Sequence, residues 1–244
     1  VMKELPKKIE SVLKLPLTDT QSKKYNQLLE AHKKILEKSH QKDLSTTNLQ
    51  LLAYPNEAIS QNKESIKSWI GRMMELRKVA NHPVLVRSFY TEEKLKKMAS
   101  LILLGEKVLV FSQFTSVLDI LEYALKEWNI VYTRLDGQTK TSERQEMIET
   151  FNELSDIKVF LLSTKAGGFG INLASANVVV IHDVDINPHN DRQAEDRAHR
   201  VGQSKDVKVI KLIAKDTVEE EILEQAKTKL LLDENISKAN LLAD

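Results

Sequence analysis

Gln193, Arg197 and Arg200 stand four and three residues apart in a segment, 190–200, whose text predicts a helix. Asn190 can cap that helix, Pro188 precedes it, and Gly202 stands where a C-terminal glycine belongs. At about 100° per residue, the three polar side chains fall within roughly 60° of one another. Ala194, Ala198 and Val201 form a separate apolar stripe, so the two arginines flank the buried face. Neighbouring guanidiniums repel unless an anion lies between them, and the planar donor fork of arginine suits a phosphate chain. The alternative is structural: Asp191, Glu195 or Asp196 could absorb both charges in ion pairs.

A second cluster runs Ser163-Thr-Lys-Ala-Gly-Gly-Phe-Gly-Ile-Asn-Leu173, directly after the apolar run 159–162. Three of the seven glycines, Gly167, Gly168 and Gly170, are packed into it. Glycine permits a positive φ and lets backbone N–H groups converge on an anion. The alternative is a tight strand-to-helix turn with no ligand. Two further strand ends carry polar groups: Ser112 and Gln113, both able to hold a backbone phosphate, and Arg134 before an ordinary Asp136-Gly137 turn. His182, Asp183 and Asp185 resemble metal ligands but have no third ligand cluster near them in sequence, and no metal is expected. Trp69 and Trp128 lie on helical patterns as core or partner contacts.

The elements that must position these groups are legible as short apolar runs at 108–111, 131–135, 159–162, 178–181 and 207–213. Helical patterns lie between or after them at 115–127, 142–153, 190–200 and 217–232. Strands that are apolar on both faces and separated by helices imply a parallel sheet covered on both sides, an α/β doubly wound domain. Its ligand site belongs at the carboxyl ends of the strands. The earlier part reads mostly helical. Thr18 and Asp19 offer a cap before one helix, a second spans about 65–79, residues 43–62 read as loop, and Pro83 follows the second helix. The stretch 89–105 is short for joining the two parts. The expected organisation is a helical extension at 1–98, the α/β lobe at 99–216 and a C-terminal helical brace at 217–244.

The 244 residues are 41% hydrophobic and 29% charged, which fits a globular protein of one or two domains. No apolar run is long enough to span a membrane, and no signal-peptide pattern is seen. With no cysteine there is neither a disulfide framework nor a thiolate zinc site. The net charge of +1 hides an asymmetry: residues 1–98 hold 19 Lys and Arg against 11 Asp and Glu, and the remainder 17 against 24. A basic first part suits an anionic partner such as nucleic acid, or is simply a pair of lysine-rich solvated helices.

Gln193-Ala-Glu-Asp-Arg-Ala-His-Arg-Val-Gly-Gln203 resembles the last motif of SWI/SNF-like chromatin-remodelling ATPases, of pattern Q-A-x-x-R-x-H-R-x-G-Q, at every fixed position. The string from Ser163 to Leu173 resembles the S-T-x-A-G-G-x-G-x-N-L motif of the same family, with Phe169 where leucine is common. Leu76-Arg-Lys-Val-Ala-Asn-His-Pro83 resembles its L-R-K-x-x-N-H-P segment, in which Asn81, His82 and Pro83 are structural. Within the family the chain looks most like the SMARCAD-type remodellers.

The resemblance implies the second RecA-like lobe of a superfamily-two motor. Arg197 and Arg200 would be its arginine fingers. Gly168, Gly170 and Gln193 would face the nucleotide, and Ser112, Gln113, Arg134, Ser163, Thr164 and Lys165 the DNA. ATP and magnesium would be bound mainly by a first lobe, because no Gly-Lys pair and no Asp-Glu-x-His string occurs here. Implied partners are double-stranded DNA, nucleosomal histones and that first lobe, in the nucleus. A strand-separating helicase lobe and a catalytically silent chromatin-binding module are the rival readings.

Overall fold

The computed structural model describes residues 5–38, 63–81, 106–167 and 170–241. The expected loop at 43–62, the stretch 89–105, and His82, Pro83, Gly168 and Phe169 lie outside them, as does the side chain of Trp69. The apolar runs form five of the strands of one six-stranded sheet. Its strands are β1 (Lys8–Leu15), β2 (Val108–Ser112), β3 (Tyr132–Leu135), β4 (Val159–Ser163), β5 (Val178–Ile181) and β6 (Val207–Ala214), ordered β1-β6-β5-β2-β4-β3. Strand β2 pairs in parallel with β4 and β5, β3 with β4, and β5 with β6. Every residue of β2, β4 and β5 is buried, as an inner strand covered by helices on both faces must be. Leu109, Phe160, Leu161 and Leu162 are fully enclosed. Each such side chain contributes about 1.5–3 kcal/mol of transfer free energy.

The helices are α1 (Asp19–Lys38), α2 (Lys63–Asn81), α3 (Thr115–Glu127), α4 (Thr141–Glu153), the single turn α5 (Thr164–Gly167), α6 (Pro188–Glu195) and α7 (Val218–Leu241). Helix α3 buries Val117, Leu118, Leu121 and Leu125, one apolar stripe at helical spacing. It ends in a Schellman motif. Asn129 takes φ 55°, Ile130 N–H reaches Leu125 O at 3.0 Å, and Asn129 N–H reaches Lys126 O at 3.0 Å. Trp128, the C-cap, is 41% exposed and so is not a core residue. Helix α4 packs with Phe151, whose ring meets Phe160 at 5.0 Å, and Lys107 Nζ donates to the carbonyls of Phe151 and Asn152 at its C-terminal end.

The backbone divides into two compact units. One holds the sheet with α3, α4, α5 and nearly all of α6; the other collects α1, α2 and α7. In the second unit, Thr18 and Gln21 form a capping box at the start of α1: Gln21 N–H donates to Thr18 Oγ1 at 3.3 Å, and Thr18 N–H to Gln21 Oε1 at 3.1 Å. Gln21 Nε2 also donates to Ala80 O on α2 at 3.1 Å, and Val218 N–H on α7 donates to the buried Tyr25 hydroxyl at 2.8 Å. Asn81 donates to the enclosed carboxylate of Glu219, a structural use of the Asn-His-Pro segment.

The mostly helical extension thus carries one strand at its start, β1. It pairs with the edge of β6. Its lysine-rich, largely exposed text, KIESVLKL, lacks the both-faces-apolar signature of the inner strands.

Candidate functional site

Parallel pairing puts the carboxyl ends of β2, β4 and β5 on one rim. Ser112 stands opposite Ser163, and Phe111 opposite Ile181. Every motif after these strands therefore opens on the same side, where an open α/β sheet binds its ligands.

Asp183 organises the first part of that rim. Its Oδ1 accepts from Gln113 N–H at 2.8 Å, and its Oδ2 accepts from the Ser112 hydroxyl. Gln113 Nε2 donates onward to Val184 O at 3.1 Å. Ser112 is fully enclosed, so its hydroxyl holds the loop together and is not offered at the surface. Sequence reasoning weighs Asp183 only as a metal ligand. Its actual partners are two residues some seventy positions earlier in the chain, which no local spacing announces. Asp183→Ala takes the Oδ1 acceptor from the Gln113 N–H and leaves the Ser112 hydroxyl only its longer bond to Phe114 O at 3.3 Å. Each orphaned buried group costs about 1–3 kcal/mol. Urea unfolding is expected to show a loss in that range, and an unchanged midpoint would show that the bracket contributes nothing.

Arg134 is engaged within the chain. Its guanidinium meets Asp119 at 2.7 Å, Glu122 at 2.8 Å and Asp136 at 2.8 Å. Burial opposes its charge, but these three carboxylates hold its pKa above the usual arginine value. Asp136 is correspondingly lowered: burial opposes ionisation, and Gln138 N–H and Arg134 outweigh it. An arginine surrounded in this way must break ion pairs to reach a phosphate.

After β4, Ser163 Oγ accepts from Ala166 N–H at 3.3 Å and shapes the single turn α5. Thr164 is half-buried and Lys165 exposed. Gly170 takes φ +44°, and a Cβ added there would meet nothing within 4 Å. Glycine is thus favoured there by the backbone conformation, not by crowding.

The arginine segment departs from the expected helix over 190–200. Helix α6 begins at Pro188 and ends at Glu195, so Asn190 lies inside its first turn and Arg197 and Arg200 stand on the turns that follow. The helical carbonyls have other partners. Arg197 O accepts from Leu173 N–H at 3.1 Å, and Ala198 O from Gln203 Nε2 at 3.1 Å. Three kinds of bond stitch this segment to the glycine loop. The first is that Leu173–Arg197 backbone bond. The second is Arg200, whose guanidinium donates to Gly170 O at 3.3 Å and Ile171 O at 3.4 Å. The third is Gln203, whose Nε2 donates to Ala174 O at 3.1 Å and Ala176 O at 2.7 Å. Gln203, a motif position to which the sequence reading gives no role, supplies the third of these. Gln193 is exposed one turn before Arg197.

Burial, and after it the neighbouring Arg200, push the Arg197 guanidinium below its usual pKa, with Asp196 opposing. An anion at this point would relieve both effects. Glu195, one candidate partner for these arginines, is instead occupied by Lys8 at 2.7 Å and Lys211 at 2.9 Å.

With this geometry in place, known proteins are informative. The helicase conserved C-terminal domain family matches residues 93–202. The crystal structure of the C-terminal part of the Fun30 ATPase domain is 35% identical, has a TM-score of 0.66, and is matched over 91% of this chain and 90% of that one. The chain belongs to the SWI/SNF-like chromatin-remodelling ATPases, in the SMARCAD-type (Fun30) subgroup. It is their C-terminal helicase lobe. The mouse SWI/SNF-related matrix-associated actin-dependent regulator of chromatin subfamily A containing DEAD/H box 1 is 42% identical over 72% of this chain and 23% of its own length. The fission-yeast ATP-dependent helicase fft2 is 37% identical over 97% of this chain and 23% of its own length. The remodeller lobe thus spans about a quarter of the length of the curated relatives it matches.

Proposed function

We propose that this chain is the second RecA-like lobe of an ATP-dependent, nucleosome-remodelling translocase on double-stranded DNA. The supporting observation is the stitched pair of motifs, which brings Arg197 and Arg200 to one glycine loop on the rim of the sheet. ATP with its magnesium sits between this lobe and a first lobe outside this chain, and the first lobe makes most of the contacts to both. Arg197 and Arg200 neutralise charge that grows on the γ-phosphate oxygens as the bond breaks, a large contribution in phosphoryl transfer. Gln193, Gly168 and Gly170 line the nucleotide side. Gln113, Ser163, Thr164 and Lys165 track the DNA backbone. Ser112 supports that rim through Asp183, and Arg134 joins it only by releasing a carboxylate. Alternate closing and opening of the two lobes, with the rim holding phosphates, moves DNA in small steps. The basic residues before 98 add an electrostatic footprint on DNA or the nucleosome, and a chromatin substrate implies that the whole protein works in the nucleus.

Interactions of this kind position DNA without reading bases. Replacing Thr164 and Lys165 together by alanine in the full-length protein is expected to weaken DNA stimulation of ATP hydrolysis equally on duplexes of different sequence. The dependence of log K on log salt should become shallower by about 0.9 for each phosphate that the protein no longer neutralises. A loss confined to particular sequences would show base readout and sink the translocase assignment of this rim.

A further inference from the structure

The arginine segment has a second anchor that the glycine loop does not supply. Glu195 closes α6 two residues before Arg197, and its carboxylate is only 1% exposed. Its Oε2 accepts from Lys8 Nζ of β1 at 2.7 Å, and its Oε1 stands 2.9 Å from Lys211 Nζ of β6. Glu10, two residues along β1, closes a ring of alternating charge, 3.4 Å from Lys8 and 3.6 Å from Lys211. Burial alone would depress both lysines, yet the carboxylates around them hold both above the usual value. Burial opposes Glu10 in the same way, and the two lysines hold it below the usual value.

The other end of the segment is tied to the same strand entrance. His199 Nε2, one residue before Arg200, lies 2.7 Å from Pro6 O, so that nitrogen carries the proton and donates. Between these two ties, Val207 N–H donates to Lys7 O at 2.9 Å, and Lys7 N–H to Asp206 Oδ1 at 3.0 Å. Beyond Glu195 the segment runs in turns: its own backbone bonds, to the carbonyls of Arg192, Ala194 and Glu195, reach as far as His199 N–H, and Arg200 lies past them. A short β-edge segment, residues 6–10, grips them on either side of Arg197.

We propose that Lys8, Glu195 and His199 are positioning residues for the arginine pair, and that β1 acts as a clamp setting the direction of Arg197 and Arg200. The proposal rests on the arginine-finger reading given above. It goes beyond that reading by assigning a role in catalysis to an edge strand nearly two hundred residues away in sequence. Glu195 takes no part in the chemistry; it holds the turn that carries the fingers. A buried carboxylate that loses one of two cations keeps its fold through the other while its position relaxes, and misplacement of about 1 Å at a catalytic group costs on the order of 10²-fold.

The test uses the full-length protein and single-turnover ATP hydrolysis on DNA. Lys8→Met keeps the aliphatic stem and removes the charge. It is expected to lower kcat about ten- to a hundredfold, with KM for ATP within about twofold, and Lys8→Arg should keep the rate. His199→Leu cuts the other tie, leaves the charged ring intact, and should show the same split between kcat and KM. In an Arg197→Ala, Arg200→Ala background, Lys8→Met should lower the rate no further, because there is nothing left to position. Unchanged kcat in both Lys8→Met and His199→Leu, alongside a large loss in Arg200→Ala, overturns the clamp and leaves the fingers standing. Full activity in the double arginine variant overturns the finger reading on which the clamp rests. An additive loss in the arginine-free background, or a fall in melting temperature without a kcat–KM split, shows β1 to be structural only and also overturns the clamp. If Lys8→Met does not fold, His199→Leu decides alone.

Discussion

Arg200→Ala in the full-length protein is expected to cut the rate of ATP hydrolysis by about 10³–10⁵, the range in which arginine fingers fall. That corresponds to roughly 4–7 kcal/mol of transition-state stabilisation at about 1.4 kcal/mol per decade. The fold should hardly register the change. Arg200 is exposed, and its guanidinium makes two long bonds, at 3.3 and 3.4 Å, to the carbonyls of Gly170 and Ile171. Those carbonyls face water once the side chain is gone, so truncation opens no cavity and orphans no buried group. Surface changes of this kind stay within about 0.5 kcal/mol. Arg200→Lys should not rescue, because an ammonium is a point charge without the two-pronged donor face that lies along adjacent phosphate oxygens. ATP affinity should fall far less than the rate. The measurement is single-turnover hydrolysis on mononucleosomes, with thermal melting alongside. Near-normal turnover rejects the finger. A large loss of melting temperature would instead make Arg200 a structural strut of the glycine loop.

Much of the framework is written in the sequence. The runs 108–111, 159–162, 178–181 and 207–213 match β2, β4, β5 and β6 to within one residue; β2, β4 and β5 are buried throughout and leave nearly nothing but apolar text, while β6 shows through Lys208 and Lys211 because its other residues are apolar. Helix α3 matches its expected bounds, 115–127, because Val117, Leu118, Leu121 and Leu125 fix its period. Strand β1 is hidden because an edge strand needs no such signature; its exposed Glu10 and half-buried Lys8 act through a partner at the far end of the chain. The helix expected over 190–200 stops at Glu195 for the same kind of reason. Helical period and capping residues describe a segment's own preference, while Arg197 O and Ala198 O are claimed by Leu173 and Gln203 from outside it. Likewise the residue types at the strand ends are legible, but their division of labour is not. Whether Ser112 faces a phosphate or Asp183 is decided by which strand lies next to β2, and that is topology.

The second large effect is expected from the chain by itself. Purified residues 1–244 should hydrolyse no ATP above a buffer blank, with or without DNA. A phosphate cradle of the Gly-x-x-x-x-Gly-Lys-Ser/Thr kind supplies both the backbone donors that hold the β- and γ-phosphates and the hydroxyl that holds magnesium. No glycine in this sequence is followed by lysine. The arginine pair cannot stand in for it. A finger stabilises charge that appears only in the transition state, so without a partner surface to bind the ground state there is nothing bound on which it can act. Burial and Arg200 oppose the Arg197 charge more than Asp196 supports it, which favours a nearby anion but gives that anion no defined orientation for in-line attack. Mixing this chain with a separately purified first lobe should restore DNA-stimulated hydrolysis only at high concentration, because the two lobes forgo an effective concentration of about a millimolar when unlinked. The same mixture made with Arg197→Ala and Arg200→Ala should stay at background. DNA-stimulated turnover by residues 1–244 alone would reject the half-motor reading, and recovery by the arginine-free lobe would show that the lobe contributes DNA binding and no finger.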